Sequence, residues 1–113
     1  MAVAAGGTGT GSGVGIQVWR NGSSLTAVPN PVTGGGAFAS TTISWNAPNA
    51  QIIEIHVGSP TGAIFTQNVN RGSMITGPWV TDGTTFYLQD VSGGSLPTAA
   101  NTLATVVVHV QPR

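Results

Sequence analysis

Short runs of alternating apolar and polar residues, each followed by a turn signal, recur along the chain from residue 14 to residue 110. Alternation with a period of two predicts β-strands, and no stretch keeps the period of an α-helix. Seven to eight such runs can be recognised, at 14–18, 25–28, 38–45, 53–57, 63–66, 74–80, 84–89 and 103–110. Many short strands separated by turns are typical of an all-β sandwich, which is the fold we expect.

The turn signals also indicate how these strands are connected. Asn21 followed by Gly22 favours a short β-hairpin between the first two runs. Pro29 and Pro31 come directly after the second run, and proline cannot donate to a neighbouring strand, so this part is expected at a sheet edge. Residues 67–73 are polar and 90–101 contain glycine and proline, so both segments are expected to be loops.

The composition of the chain favours one uncharged domain. The chain has 113 residues and no cysteine, which suits a single β-sandwich at 14–113, with an extra N-terminal strand, after a glycine-rich tail at 1–13. Charged residues make up 5% of the chain, the formal net charge is zero and lysine is absent. Because a nucleic-acid-binding protein needs a basic surface to neutralise phosphates, no nucleic-acid partner is expected.

The same composition bears on the location of the protein. No apolar run approaches the roughly 20 residues of a membrane-spanning helix, so we expect no membrane insertion. Residues 1–7 lack the charged and apolar regions of a signal peptide. A surface rich in Thr, Ser, Asn and Gly is common in exported bacterial domains and in virion or filament proteins, and it protects weakly against self-association. Extracellular surface or virion is therefore the compositional expectation.

One segment narrows the fold further. Asp82 and Gly83 form a tight turn that begins a strand in which Phe86 and Leu88 share a face, and this arrangement resembles strand F of an immunoglobulin-like sandwich. With segments 27–32, 41–46, 53–57, 71–73, 77–80 and 103–106, it makes residues 25–110 similar to a bacterial immunoglobulin-like, or fibronectin-III-like, domain. The expected fold class is an all-β, immunoglobulin-like antiparallel β-sandwich of seven to eight strands.

The resemblance implies a non-catalytic module. Such domains are often appended to bacterial enzymes and surface proteins, and usually carry neither catalytic residues nor a cofactor. In immunoglobulin domains a tyrosine hydroxyl binds the backbone at the corner, whereas Phe86 occupies the matching position here, which weakens assignment to any particular subfamily. Residues 1–24 lie outside the resemblance.

Three polar side chains are candidate binding residues on one sheet face. In an immunoglobulin-like layout the strands of His56, Tyr87 and His109 are neighbours, and alternation directs all three away from the core. Imidazole and phenol groups together could bind a metal or a polar ligand. The two outer strands lie about 9–10 Å apart, too far for both histidines to ligate one ion. We therefore expect no metal site, and the simpler interpretation is two solvated histidines on a polar face.

The three tryptophans have different expected environments. Trp45 alternates with Ile43 and is expected in the core. Trp79 follows a Gly-Pro pair, so both core and rim positions are open. Trp19 lies opposite Ile16 and Val18, and if those are buried it could stack on a sugar or fill a neighbour's pocket. The alternative is that Trp19 packs on its own domain.

No arrangement of residues indicates an enzyme. A glycosidase needs two carboxyl groups flanking one bond, and Glu54, Asp82 and Asp90 are not expected to pair. The chain also has no Gly-x-Ser-x-Gly motif. We expect a structural or protein–protein interaction module, with a virion-surface or filament subunit as the sharper version and self-association or another protein as the partner. The alternative is a carbohydrate-binding accessory module with a glycan ligand.

Overall fold

The computed structural model describes residues 15–18, 20–34 and 36–111, and this part of the chain forms ten β-strands. Their bounds are β1 Gly15–Val18, β2 Ser24–Val28, β3 Val32–Thr33, β4 Thr42–Asn46, β5 Ile52–Val57, β6 Ala63–Val69, β7 Arg71–Ile75, β8 Thr84–Asp90, β9 Thr102–Val108 and β10 Val110–Gln111. Eight strands build two antiparallel sheets, in the orders β1–β2–β4–β7 and β6–β5–β8–β9. The sheets pack against each other, so the expected all-β sandwich is confirmed. The tail at 1–13 lies outside the described residues.

One side of the sandwich is closed by the two shortest strands. β3 pairs in parallel with β10, which links the segment after β2 to the end of the chain. Asn30 is 7% exposed and strengthens this link. Its Nδ2 donates to the carbonyl oxygen of Val107 and its Oδ1 accepts from the amide of His109, both at 2.9 Å. β1 and β2 also approach β9 on this side.

The core lies between the two sheets and follows the alternation of the sequence. Because successive side chains of a strand point to opposite faces, buried residues largely alternate with less buried ones in β2, β4, β5, β8 and β9. On the outer strands, β6 has one buried residue, Thr66, and β7 has none. Trp45 is 3% exposed, and its indole Nε1 donates to the carbonyl oxygen of Val69 at 2.9 Å, so its predicted core position is confirmed. The other large core residues are Leu25, Ile43, Ile53, Ile55, Phe86, Leu88, Val106 and Val108.

The predicted turns at Asn21 and at Asp82 are both present. Asn21 and Gly22 have φ values of 56° and 73°, the left-handed conformation that this pair favours in a hairpin. At the Asp82 corner, the amide of Gly83 donates to the carbonyl oxygen of Val108 at 2.8 Å. Asp82 Oδ1 accepts from the amide of Val110 at 3.0 Å. The corner is therefore attached to the last two strands.

Three predicted segments differ from the structure. The strand expected at 74–80 ends at Ile75, because β7 spans Arg71–Ile75. The strand expected at 38–45 begins only at Thr42, and Phe38 is 66% exposed beside a single bridge between Ala39 and Val80. The loop expected at 67–73 is wrong, because β6 continues to Val69 and β7 begins at Arg71. Both strands are held by pairing with β5 and β4, a tertiary effect that outweighs their polar local sequence.

The loop after β8 covers a buried polar residue. Gln89 is fully buried, its Nε2 donates to the carbonyl oxygen of Thr98 at 2.6 Å, and its Oε1 accepts from the Thr102 hydroxyl. This arrangement holds residues 91–101 against the end of the second sheet. Within the described residues the helical segments are single 3-10 turns, and none of them could span a membrane.

Candidate functional site

The predicted polar cluster of His56, Tyr87 and His109 does not form. His56 lies opposite Tyr87 in the β5–β8 register, and Tyr87 lies opposite Thr105 in the β8–β9 register. His109 follows the end of β9, four residues beyond Thr105, which places it about 13 Å further along the strand. The three side chains therefore occupy two separate positions. Trp19, the fourth candidate binding residue, lies outside the described residues.

The prediction that His56 is a solvated residue is wrong. It lies on the same side of β5 as Glu54, as the alternation predicted, but it is only 3% exposed. Its ring nitrogens contact the carbonyl oxygen of Gly62 and the carboxyl group of Glu54, each at 2.7 Å. The turn that carries Gly62 covers the ring. Sequence alternation alone could not reveal this, because it reports the direction of a side chain and not what folds over it.

His109 has the solvated environment that both histidines were expected to have. Its Nδ1 lies 3.3 Å from Asp82 Oδ1, and the side chains are 59% and 67% exposed. An ion pair at such an exposed site contributes little to stability. Within the described ranges, no three His, Cys, Asp or Glu side chains are grouped so that they could hold a metal ion.

An apolar groove that sequence reasoning did not identify lies on the surface. It has a volume of about 440 Å³ and is lined by Val57, Ala63, Ile64, Phe65 and Trp79. Its floor is aromatic, since Phe65 packs edge-on against Phe86 with ring centroids 5.6 Å apart. Trp79 packs against both phenylalanines at 6.1 and 5.9 Å.

Trp79 takes the rim position that the sequence left open. It is 42% exposed, so part of the indole is packed and the rest contacts solvent. A β-carbon at Gly77 would lie 2.8 Å from the Trp79 ring, so the ring packs directly over the Gly77 backbone. The sequence feature that indicates this rim position is the Gly77–Pro78 pair, because it marks a segment that departs from regular strand geometry.

The groove lies beside the unpaired edges of β6 and β7. We call these two edges together with the groove the open side of the sandwich. Among the residues that the structure describes, β6 pairs with β5 alone and β7 with β4 alone. At the end of β6 the backbone of Val69 already bonds to Asn68 Oδ1 and to Trp45 Nε1. β6 has seven residues and contains neither proline nor a charged residue, although a register shift between Ile55 and His56 bends it. Exposed apolar side chains are concentrated on these two strands; they are Ile64, Val69, Met74 and Ile75.

Such an edge differs from those of most monomeric β-proteins. An exposed edge strand offers unpaired backbone N–H and C=O groups, and soluble proteins usually block it with lysine, proline, an inward-pointing charge or a β-bulge. Of these, β6 has only the irregularity opposite Ile55 and His56. Arg71 is the single charged residue on β6 and β7. The open side can therefore accept an additional strand and bury apolar side chains at the same time.

Comparison of the chain with protein-family models, curated proteins and solved structures gave no significant match.

Proposed function

We propose that this chain is a non-catalytic immunoglobulin-like module that binds another copy of itself through the open side of the sandwich. The observation that carries the proposal is the uncharged seven-residue edge of β6 beside an apolar groove. Addition of a strand to such an edge gives affinity through main-chain hydrogen bonds, and pockets for alternate side chains give specificity. Self-assembly of this kind suits a subunit of a virion surface or an extracellular filament.

The proposed occupant of the β6 edge is the N-terminal segment 1–13 of a neighbouring copy. A strand that covers seven residues spans about 24 Å, and thirteen extended residues reach about 43 Å, so the segment is long enough. It carries no charged side chain, and neither does β6. With only 5% charged residues in the whole chain, little electrostatic repulsion opposes association of identical copies.

The mass of the protein in solution, measured by light scattering, tests this proposal. A deletion of residues 1–13 keeps β1 in its sheet, and Ile64→Lys places a charge on the β6 edge. We expect the full chain to assemble and both variants to be monomeric. The matched control is Leu96→Lys, since Leu96 is also apolar and exposed, at 69%, but lies in the loop after β8.

A full chain that is monomeric at all concentrations would refute self-association. A deletion variant that still assembles would refute the N-terminal segment as the occupant. The partly exposed Trp79 beside a groove is the feature that favours the second candidate, a carbohydrate-binding module, because an indole face can stack on a sugar ring. Binding on a glycan array that Trp79→Ala abolishes would establish this alternative.

A further inference from the structure

Both ring nitrogens of His56 face oxygen atoms. Nδ1 lies 2.7 Å from the carbonyl oxygen of Gly62, and Nε2 lies 2.7 Å from Oε1 of Glu54. A carbonyl oxygen only accepts hydrogen bonds, so Nδ1 must carry a proton and donate it. At the other nitrogen, either Nε2–H donates to a carboxylate or a protonated carboxyl group donates to Nε2. In both cases the pair holds one proton more than a neutral histidine beside a carboxylate.

The pair is largely buried. The side chains of His56 and Glu54 are 4% and 14% exposed. Gln67 on β6 donates from Nε2 to Oε2 of Glu54 at 3.0 Å, which fixes the carboxyl group. On β8, Tyr87 lies opposite His56 and is titratable. The turn 58–62 and β6 contain no titratable side chain, so Glu54 and Tyr87 are the titratable groups beside the ring within the described residues.

The Gly62 carbonyl belongs to the tight turn that joins β5 to β6. The amide of Gly62 donates to the carbonyl oxygen of Ser59 at 3.0 Å, and the amide of Gly58 donates to that of Thr85 at 2.9 Å. Ala63 and Ile64 follow at once and line the apolar groove. The His56 ring therefore anchors the turn from which the β6 edge begins.

We propose that His56 and Glu54 form a proton-dependent contact that closes the turn 58–62. When the extra proton leaves to solvent, one N–H remains on the ring. It stays on Nε2, because a hydrogen bond to a carboxylate is stronger than one to a neutral carbonyl. Nδ1 then presents a lone pair to the lone pairs of the Gly62 carbonyl, and the turn separates from the ring.

The direction of the pH dependence follows from the proton count. The closed turn holds the extra proton, so closure is favoured at low pH and is lost as pH rises. This change in the turn does not depend on the proposed function. Weaker binding of a partner strand to β6 at the higher pH is a consequence that does rest on the proposed function.

Nuclear magnetic resonance tests the proposal on the monomeric protein at low concentration. Ring 15N shifts report the protons on His56, and amide hydrogen exchange, corrected for intrinsic rates, reports closure of residues 59–64. We expect protection of these amides to fall about fivefold, the factor for one hydrogen bond, as the pair loses its proton. A ring that carries one proton at pH 5 with Glu54 ionised and the turn closed would overturn the proposal.

Two variants separate this contact from a general effect of pH. In Glu54→Gln, the new amide can donate an N–H to Nε2 of neutral His56 while its oxygen accepts from Gln67. The turn should then stay closed across the whole range. His109→Gln removes the exposed histidine and should leave the pH dependence unchanged. If Glu54→Gln opens with pH as the natural protein does, the proposal is refuted, whatever light scattering shows about assembly.

Discussion

Replacement of Trp45 by alanine tests whether the interior of the sandwich is packed as described. Trp45 is 3% exposed. A buried tryptophan removes about 200 Å² from water, which at about 25 cal/mol per Å² corresponds to about 5 kcal/mol as an upper value. Measured truncations of this type cost about 3–5 kcal/mol. We expect a loss of about 4 kcal/mol in the free energy of unfolding.

Urea denaturation followed by fluorescence or circular dichroism measures this loss. With a slope of about 1–3 kcal/mol per molar, the midpoint should fall by about 1.3–4 M. A loss below about 1 kcal/mol would refute the core position described for Trp45. Trp45→Phe is the first control, because it keeps an aromatic ring in the core while it removes the hydrogen bond to Val69 and part of the ring volume. Trp79→Ala, at a 42% exposed rim position, should cost less than Trp45→Ala.

Three further predictions concern individual contacts, each measured by the same denaturation. Gly62→Ala should cost about 2 kcal/mol, because its new β-carbon would clash with the Val57 carbonyl, whereas Gly36→Ala meets nothing within 4 Å and should be neutral. Asn30→Ala removes two hydrogen bonds of a buried side chain and should cost about 2–3 kcal/mol. The control is Asn49→Ala, which removes one hydrogen bond of an exposed side chain, and an equal loss in this variant would contradict the explanation. Ser23→Ala should stabilise by up to about 1 kcal/mol, because the buried Ser23 hydroxyl has no hydrogen-bond partner among the described residues; a destabilised variant would show that it does.

Much of the fold could be predicted because alternation reports which face of a strand is buried. Phe86 and Leu88 are both fully buried, as their spacing indicated. The polar strand residues after position 66 were misassigned, because β-structure there depends on pairing with strands distant in sequence. The burial of Gln89 could not be predicted from the local sequence either. It is favourable because the loop that folds over Gln89 supplies a hydrogen-bond partner for its side chain.

The candidate site could be predicted to a smaller extent. The direction of His56 from β5 was correct, but its burial depends on the turn that carries Gly62, and no local pattern reports that contact. The groove combines β5, β6 and the segment around Trp79, which are separated in sequence. Such a site arises from the packing of aromatic rings between the sheets, and single-strand patterns do not describe it.

The order of strands in the first sheet has a consequence for the geometry of the proposed assembly. β1, which follows the N-terminal segment, lies at one edge of that sheet, and β7 lies at the opposite edge. A copy that receives a strand on its open side would therefore supply its own from the far side. Such a contact joins two different surfaces and is heterologous, so successive copies add head to tail, in rings or continuous filaments, rather than stopping at a symmetric pair.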